Sequence, residues 1–506
     1  MTQAIDWWSI AAPLCLVSAA LVALLGDAFV PAASRWLPAA ASLGGCAGTL
    51  AFAVSLVDRE RTAFCLAGGP PGEQGQRLDC SWLVTNPTLV WWGAVAGATA
   101  VVTLLLVPAV RRGELPAGEL HFLLLSSATG ALVVAAAGDL VTLVIGLETL
   151  SLPTFALVGL RRGDRRGAEA ALKFFITSVV ATAITLLGIS MVYGATGSVA
   201  AYSVATAAAL DNAVTPVIGV AMVLTVVGLA FKVAAVPFHA WVPDTYVGAP
   251  IQVAAYLSVV SKAAGLAGLA VVLTRFFGPY VDTWSVAMAV AAAATMTVGN
   301  LAALRQQHAV RLLAWSSVAQ VGYLLVPLAA GGSPSDLAAQ QSYVVMYAIV
   351  NLGAFAAVLG AAHGSAVMVD DFTGLVRSRP WLGAGLGFAL LCLAGLPPGV
   401  VGLLAKVVIF QSAVTSDLLW LAVLMGVNVA LALVYYLRFL AVLLRPVPSL
   451  PAGHDGSDAP AASGQDGVAA VRRSGVPLTT ELVAGLSLGA AVVLSVFPAP
   501  LFARLG

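Results

Sequence analysis

Long apolar runs, separated by short polar segments, recur along the whole chain. A membrane-spanning helix needs about 20 predominantly apolar residues, and most of the runs have that length. We therefore expect each run to cross a membrane once. The pattern predicts fourteen spans, at residues 8–27, 37–57, 88–110, 119–138, 139–160, 170–194, 214–246, 251–274, 284–304, 311–331, 342–364, 382–415, 418–443 and 480–503.

The seventh and twelfth runs are too long for one straight span. As continuous helices, the apolar run from about 215 to 241 in the seventh span and the whole twelfth run would reach about 40 Å and about 51 Å, against a hydrocarbon core of about 30 Å. Pro237 lies inside the first run, and Pro397, Pro398 and Gly399 lie inside the second. Proline removes a backbone donor and interrupts a helix. Both runs are therefore predicted to be broken helices.

Broken helices at corresponding positions of two halves are typical of transporters built from inverted repeats. The predicted fold class is an all-α polytopic membrane protein of about 14 transmembrane helices, with spans 4–8 and 9–13 as inverted five-helix repeats. The expected divisions are an N-terminal unit, two half-channel repeats, a flexible linker and a last span. They cover residues 1–118 (with an external loop at 58–86), 119–274, 284–443, 446–479 and 480–506.

Composition supports a membrane protein and excludes several soluble classes. The chain is 60% hydrophobic and 9% charged, whereas soluble domains are about 25% charged. A formal charge of +1 argues against a nucleic-acid partner. There is no P-loop or dinucleotide-binding fingerprint. The start of the chain lacks the basic region of a signal peptide, so we expect the first span to be retained.

Arginines are distributed unequally between the loops, and the positive-inside rule converts this bias into an orientation. Loops that follow even-numbered spans contain only Arg59, Arg61, Arg77 and Arg275. Loops that follow odd-numbered spans contain Arg35, Arg111, Arg112, Arg161, Arg162, Arg165, Arg166, Arg305, Arg311, Arg377, Arg379, Arg445, Arg472 and Arg473. The second set is predicted to be cytoplasmic, which places both termini outside.

Lysine follows the opposite rule, because all four lysines fall inside apolar runs: Lys173, Lys232, Lys262 and Lys406. A desolvated lysine can lose its proton, whereas arginine remains charged. Glu148 also lies near the middle of a span, where a charge costs about 2.5–3.5 kcal/mol. Taken one by one, these charges also fit fixed ion pairs. Together they predict one polar axis through the membrane.

Two further residues are weaker candidates for supporting this axis. Lys173 lies near the start of the sixth span, next to a basic loop, so it also fits a side chain that extends to the interface. His239 lies within the seventh broken run and also fits a packed core histidine. Both alternatives stay open at this stage.

The five cysteines show no spacing typical of a zinc or iron–sulfur site. Cys65 and Cys80 share the loop that the arginine bias places outside. A disulfide persists in such an oxidising compartment, although two free thiols are the alternative. The other three cysteines lie in predicted spans and are expected to be inert apolar residues.

Five segments resemble the antiporter-like membrane subunits of respiratory complex I, a family that includes subunits of multi-subunit cation/proton antiporters. The resemblance covers most of the chain from about residue 138 to 411. The matching segments are GLETLSL at 146–152, FKVAAVPFHAWVPD at 231–244, GAP at 248–250, SKAAG at 261–265 and LLAWSSVA at 312–319. Two departures are Gln320, where the family often has histidine, and Val247, where a polar residue is common.

The resemblance implies a role for individual residues. Glu148 and Lys232 match the glutamate–lysine pair of the first half-channel, Lys262 the connecting lysine, and Lys406 the lysine toward the periplasmic exit. Lys406 differs from the glutamate that the family pattern gives subunit M. The chain also ends after fourteen spans, where subunit L has a long lateral helix. The resemblance therefore points to the third of these related subunits.

The resemblance also implies a bacterial plasma-membrane location and neighbours such as subunits M and K, in contact with lipid. No cofactor is expected in this chain, with flavin, iron–sulfur clusters and quinone expected in partner subunits. Three hypotheses remain at this point: a proton-translocating subunit of the NADH–quinone oxidoreductase, a subunit of a cation/proton antiporter, and a scaffold whose buried charges only fix packing. The first would make the chain part of a translocase without redox chemistry of its own.

Overall fold

A computed structural model describes residues 5–30, 36–66, 79–210, 215–362, 367–446 and 476–502. Most of the predicted linker at 446–479 lies outside these residues. Within them, thirteen helices are long and apolar enough to cross a membrane. The two shorter helices Pro380–Ala394 and Val400–Thr415 occupy the predicted twelfth span. The expected all-α polytopic fold is confirmed, and the division into units stays a prediction.

The helices follow the predicted order of spans closely. The N-terminal part contains α1 (Trp7–Phe29), α2 (Leu37–Ser55) and α3 (Asn86–Arg111). The next part contains α4 (Ala117–Ala136), α5 (Leu140–Val158), α6 (Arg165–Thr196), α7 (Ala201–Leu210), α8 (Thr215–Val233), α9 (Trp241–Gly248), α10 (Ile251–Tyr256) and α11 (Lys262–Val271). Two π-helical segments, Leu257–Ser261 and Val272–Phe276, and the 3₁₀ turn Gly278–Tyr280 complete it.

The later part begins with α12 (Val281–Leu304), α13 (Ala309–Leu324), α14 (Val326–Ala329) and α15 (Pro334–Ala361). After the 3₁₀ turn Val369–Phe372 come α16 (Leu375–Ser378), α17 (Pro380–Ala394), α18 (Val400–Thr415) and α19 (Leu419–Leu444). The last described helices are α20 (Leu478–Val496) and α21 (Ala499–Phe502).

Both predicted helix breaks are present. Between α8 and α9 the helix is interrupted by a segment that contains a cis bond before Pro237 and a positive φ of 67° at Ala234. Between α17 and α18 the break contains a cis Pro397–Pro398 bond and Gly395 at φ 81°. Each break ends a helix inside the membrane region and leaves its last carbonyl groups without partners in the helix.

The loop between α2 and α3 contains the two described strands, β1 (Arg61–Leu66) and β2 (Asp79–Val84), which pair antiparallel. Cys65 and Cys80 face each other in this ladder and form a disulfide, so the predicted bridge is confirmed. The Trp82 indole donates to the Ser9 carbonyl oxygen at 3.0 Å. The hairpin is thereby held on the start of α1.

Close helix packing depends on small residues, as is usual in membranes. A Cβ atom at Gly130 of α4 would overlap the backbone nitrogen of Leu150, and one at Gly146 of α5 would lie 2.9 Å from the Val134 nitrogen. The span from α10 through α11 is almost entirely buried. It therefore lies at the centre of the molecule, and it carries Lys262.

Candidate functional site

Glu148 lies on α5 and is half-buried against α6. Its Oε1 accepts a hydrogen bond of 2.8 Å from the hydroxyl of Thr182. Nearby apolar side chains on the same helix, such as Ile145 and Leu152, are exposed on the isolated chain. The carboxylate therefore lies between the interior of the subunit and a face that lipid or another subunit covers.

Lys232 lies in the last turn of α8 and is only 4% exposed. Its Nζ donates a long hydrogen bond of 3.4 Å to the hydroxyl of Ser178. The rings of Phe155, Phe174 and Phe231 lie 5.5–5.7 Å from the same nitrogen. Ring faces attract a cation at this distance, so the aromatic cage stabilises a charged lysine that has few polar contacts.

Glu148 and Lys232 line the same small cavity of about 10 Å³, together with Thr182 and Thr185. Their charged atoms are not among the described ion pairs within 4.0 Å. A cavity of this size suits about one water molecule. The two groups therefore interact electrostatically across a gap and not through a direct bond.

Lys262 is the first residue of α11 and follows the π-helical segment. Its Nζ donates to the Val233 carbonyl oxygen at 3.3 Å, and the neighbouring Ser261 hydroxyl donates to the Lys232 carbonyl oxygen at 3.4 Å. Both acceptors are among the carbonyls that the first break releases. These two bonds hold the end of α8, at Lys232 and Val233, against Lys262 of α11.

Lys406 shows a related arrangement at the second break. It lies on α18, is 3% exposed, and donates from Nζ to the Leu393 carbonyl oxygen in the last turn of α17. The Tyr323 ring lies 5.8 Å from the same nitrogen. Two lysines thus bond helix-end carbonyls, where a positive charge also interacts favourably with the helix dipole.

Gln320 connects Lys406 to further polar groups that the sequence analysis did not assign. Its Nε2 donates to the same Leu393 carbonyl oxygen at 3.3 Å and to the Tyr436 hydroxyl at 3.2 Å. Its Oε1 accepts a bond of 2.5 Å from the Tyr343 hydroxyl. Both polar atoms of this buried amide therefore have partners within the part of the chain that the structure describes.

Helix α15 carries a row of polar side chains between the two halves. Tyr343, Tyr347 and Asn351 are spaced by four residues and therefore share one face. The Tyr347 hydroxyl donates to the Ser258 carbonyl oxygen at 3.2 Å, and the Asn351 amide donates to the Ser258 hydroxyl at 2.7 Å. Ser258 lies four residues before the central lysine. The spacing was visible in the sequence, but tyrosine and asparagine alone did not distinguish a path from ordinary packing.

Lys173 lies apart from the buried lysines, on the exposed surface of α6. It forms an ion pair of 2.7 Å with Glu169 and lies 3.9 Å from Asp244 on α9. Asp244 in turn pairs with Arg311 at 2.9 Å. The structure thus places Lys173 at the surface end of the broken helix, where the side chain extends away from the interior.

His239 lies in the break itself, and the structure leaves it half-buried. Its ring packs 5.5 Å from the Trp315 ring of α13. Within the described residues, its buried Nδ1 makes no hydrogen bond. The break is also held by a 2.9 Å bond from the Val236 backbone nitrogen to the Thr295 hydroxyl of α12. His239 therefore packs against α13, next to the point where α12 holds the break.

The described residues contain no group of three or more His, Cys, Asp or Glu side chains that could hold a metal ion. The site consists of single titratable groups, joined by hydroxyl, amide and backbone carbonyl groups. A buried lysine can hold or release a proton. Such a set is chemically able to pass protons from group to group, and together with the helical fold it is typical of an antiporter-type membrane subunit.

Comparison with known proteins agrees with this class. The family model of the NADH:quinone oxidoreductase/Mrp antiporter membrane region matches residues 137–432. NADH-quinone oxidoreductase subunit N 2 of Streptomyces griseus is 49% identical over 98% of this chain and 93% of that protein. A chain of respiratory complex I from Thermus thermophilus with bound aureothin has a TM-score of 0.75 and 28% identity, covering 96% of this chain and 97% of that chain.

The Mrp complex from Dietzia sp. DQ12-45-1b has a TM-score of 0.81 over 99% of this chain and 95% of that chain, at 20% identity. That similarity shows the shared fold only. The chain belongs to the antiporter-like membrane subunit family, and within it to the NADH-quinone oxidoreductase subunit N group. Membership of the oxidoreductase is thereby supported over the antiporter alternative.

Proposed function

We propose that this chain translocates protons as a membrane subunit of NADH-quinone oxidoreductase, through Glu148, Lys232, Lys262 and Lys406. The observation that carries the proposal is that three of the four lysines are almost fully buried at or beside helix breaks. Uncompensated charges are expensive in this environment. A lysine that alternates between its charged and neutral forms accounts for that placement better than a fixed charge does.

The first step is a coupled change at Glu148 and Lys232. A nearby carboxylate favours the charged form of a lysine, whereas burial favours the neutral form. The two groups meet across a cavity that suits about one water molecule. A small displacement of the carboxylate therefore changes which form of Lys232 is favoured, and the lysine binds or releases its proton.

The released proton passes to Lys262, whose backbone neighbour Ser261 already bonds the Lys232 carbonyl oxygen. From there the polar face of α15, with Tyr347 and Tyr343, leads to Gln320 and Lys406. Gln320 is not itself protonated in the transfer. Hydroxyl groups and water carry the proton past it, since tyrosine hydroxyls both donate and accept.

Lys173 and His239 are proposed to support this path. Lys173 lies at the surface end of α9, where its charge is balanced by Glu169 and Asp244. His239 lies in the break and packs against Trp315 of α13. Both act by positioning the broken helix, and we expect their removal to have a smaller effect than removal of a buried lysine.

The same proposal includes the location, the neighbouring subunits and the cofactors of the complex. The chain lies in the bacterial plasma membrane with both termini outside, and it contacts subunits M and K and lipid. It carries out no redox reaction itself. Flavin, iron–sulfur clusters and quinone reside in partner subunits, whose reaction supplies the energy for translocation.

The proposal is tested in purified complex and in inverted vesicles. We expect the tagged chain to co-purify with subunits that oxidise NADH. Lys232→Ala and Lys406→Ala should assemble but lower the protons moved per NADH oxidised, because removal of a proton-transfer group slows transfer roughly 10²-fold. Arg377→Ala, at an exposed site, is the control. Unchanged pumping by both lysine variants would support the scaffold hypothesis instead.

A further inference from the structure

His121 is a buried imidazole that the proposed relay does not use. It lies in the second turn of α4 and is fully buried. Its Nδ1 lies 2.7 Å from the Ala117 carbonyl oxygen, and a carbonyl only accepts, so Nδ1 carries a hydrogen. Nε2 then presents a lone pair. This atom is buried and makes no hydrogen bond to any residue that the structure describes.

A surface carboxylate lies beside this imidazole. Asp27, in the last turns of α1, is exposed, and its Oδ2 accepts a bond of 3.0 Å from the backbone nitrogen of Gly118. Gly118 and His121 are three residues apart on α4 and therefore share a face. The carboxylate is thereby held at the first turn of α4, one turn before His121.

A polar pocket of about 560 Å³ opens at the same place. It is lined by Asp27, Glu114, Ala117 and Arg162, among others. Ala117, whose carbonyl oxygen His121 contacts, is part of its wall. The arginine distribution places this pocket on the cytoplasmic side. His121 is thus a buried base directly behind the wall of a water-accessible, charged pocket.

Two hydroxyl groups, of Tyr256 and Ser127, lie deeper in the membrane than His121. The Tyr256 hydroxyl lies 3.3 Å from the Leu124 carbonyl oxygen and 3.0 Å from the Ser127 hydroxyl. Leu124 is three residues beyond His121, a rise of about 4.5 Å along the helix. Tyr256 lies on the central span that also carries Lys262. His121, Ser127 and Tyr256 therefore extend from the pocket toward the central lysine, Lys262, without passing Glu148.

We propose that His121 is a second proton-uptake residue, which takes protons from the pocket at Asp27 and passes them toward Lys262. A hydrated proton from the pocket binds at Nε2 and gives an imidazolium. The same nitrogen then releases its proton to water. That water protonates the Tyr256 hydroxyl as the hydroxyl gives up its own proton, through water, to the neutral amine of Lys262. The neutral ring is restored with its bond to Ala117 intact. This inference rests on the proposed function, because Lys262 must carry the proton onward.

The test compares His121→Asn with wild type in inverted vesicles that contain the assembled complex. The asparagine Nδ2 occupies the place of the ring Nδ1 and keeps a donor for the Ala117 carbonyl, but it cannot bind a proton. We expect the variant to assemble and to move fewer protons per NADH. Asp27→Asn should lower this ratio less, and Arg377→Ala, at an exposed site outside the pocket, should leave it unchanged.

Lys232→Ala, measured in the same vesicles, separates the two proposals. Normal pumping by His121→Asn together with impaired pumping by Lys232→Ala overturns the uptake path and leaves the relay standing. Normal pumping by both variants overturns both. If His121→Asn does not assemble, hydrogen–deuterium exchange at the imidazole C2 of His121 in the wild-type complex decides. Exchange in the folded complex supports contact with water, and exchange only after unfolding contradicts the proposal.

Discussion

Individual lysines lie where a broken helix leaves carbonyl groups without partners. Lys262 and Lys406 each donate to such a carbonyl. A neutral amine keeps N–H groups, so either lysine can release a proton and still satisfy its acceptor. Arginine would satisfy the same carbonyl but would remain charged. In the proposed function, lysine therefore meets two demands at one place, a lasting hydrogen bond and a charge that changes.

Substitution of Gln320 tests the hydrogen bonds around Lys406. Gln320→Leu leaves the Tyr343 hydroxyl without its acceptor and removes a donor to the Leu393 carbonyl, which costs about 1–3 kcal/mol for each orphaned group. We expect lower thermal stability and lower pumping. Gln320→His restores hydrogen-bonding capacity and should pump like wild type. Equal pumping by the leucine variant would show that this amide lies off the path.

At the scale of elements, the hairpin and the helix breaks are held in different ways. The hairpin is fixed by the disulfide between Cys65 and Cys80 and by the Trp82 contact with α1. The breaks contain prolines and are held by side chains from other helices, as Thr295 holds Val236. A covalent bond therefore holds the hairpin, whereas hydrogen bonds hold the break at Val236.

The disulfide has a measurable contribution. It joins residues separated by 15 positions, and closing a loop of this length stabilises a fold by about 3 kcal/mol. The double variant Cys65→Ser, Cys80→Ser should therefore lower the melting temperature of the purified complex, with little change in pumping per NADH. Peptide mass spectrometry without reductant should recover the two cysteines joined. Alkylation of both thiols in unreduced protein would contradict this assignment.

Much of this architecture could be predicted from hydropathy and proline positions alone. The spans, both breaks and the buried lysines follow from chain length, membrane thickness and the cost of charge. The contacts between Lys262 and Val233, or between Lys406 and Leu393, could not be predicted, because they depend on how distant helices pack. The π-helical segment before Lys262 had no sequence signal. His121 was overlooked because one histidine near a span end resembles many packed histidines.

At the scale of the whole molecule, buried polar groups lie between the two helix breaks. Lys232 and Lys262 lie at the first break, with Glu148 on the same cavity as Lys232, and Lys406 lies at the second break. Helix α15 lies between them, where the Tyr347 hydroxyl donates to the Ser258 carbonyl oxygen. In the proposed function, protons move along these groups, so the proposal depends on a fixed orientation of the chain in the membrane.

Orientation is tested with fused reporters. The arginine bias predicts that a reporter active only in the cytoplasm gives no signal when fused after Gly506. The same reporter inserted in the loop at 161–164, between α5 and α6, should give a strong signal and serves as the control. The reverse pattern would invert the predicted topology, and with it the assignment of the pocket at Asp27 to the cytoplasmic side.

The proposed relay requires Lys232 to bind and release a proton during turnover. Lys232→Arg tests it most directly, because the variant keeps the positive charge and removes the ability to release it. The measurement is protons translocated per NADH oxidised, in inverted vesicles with matched amounts of assembled complex. We expect the number of protons translocated per NADH to fall to a value close to that of Lys232→Ala. A wild-type ratio in assembled Lys232→Arg complexes would make Lys232 a fixed charge and contradict the relay.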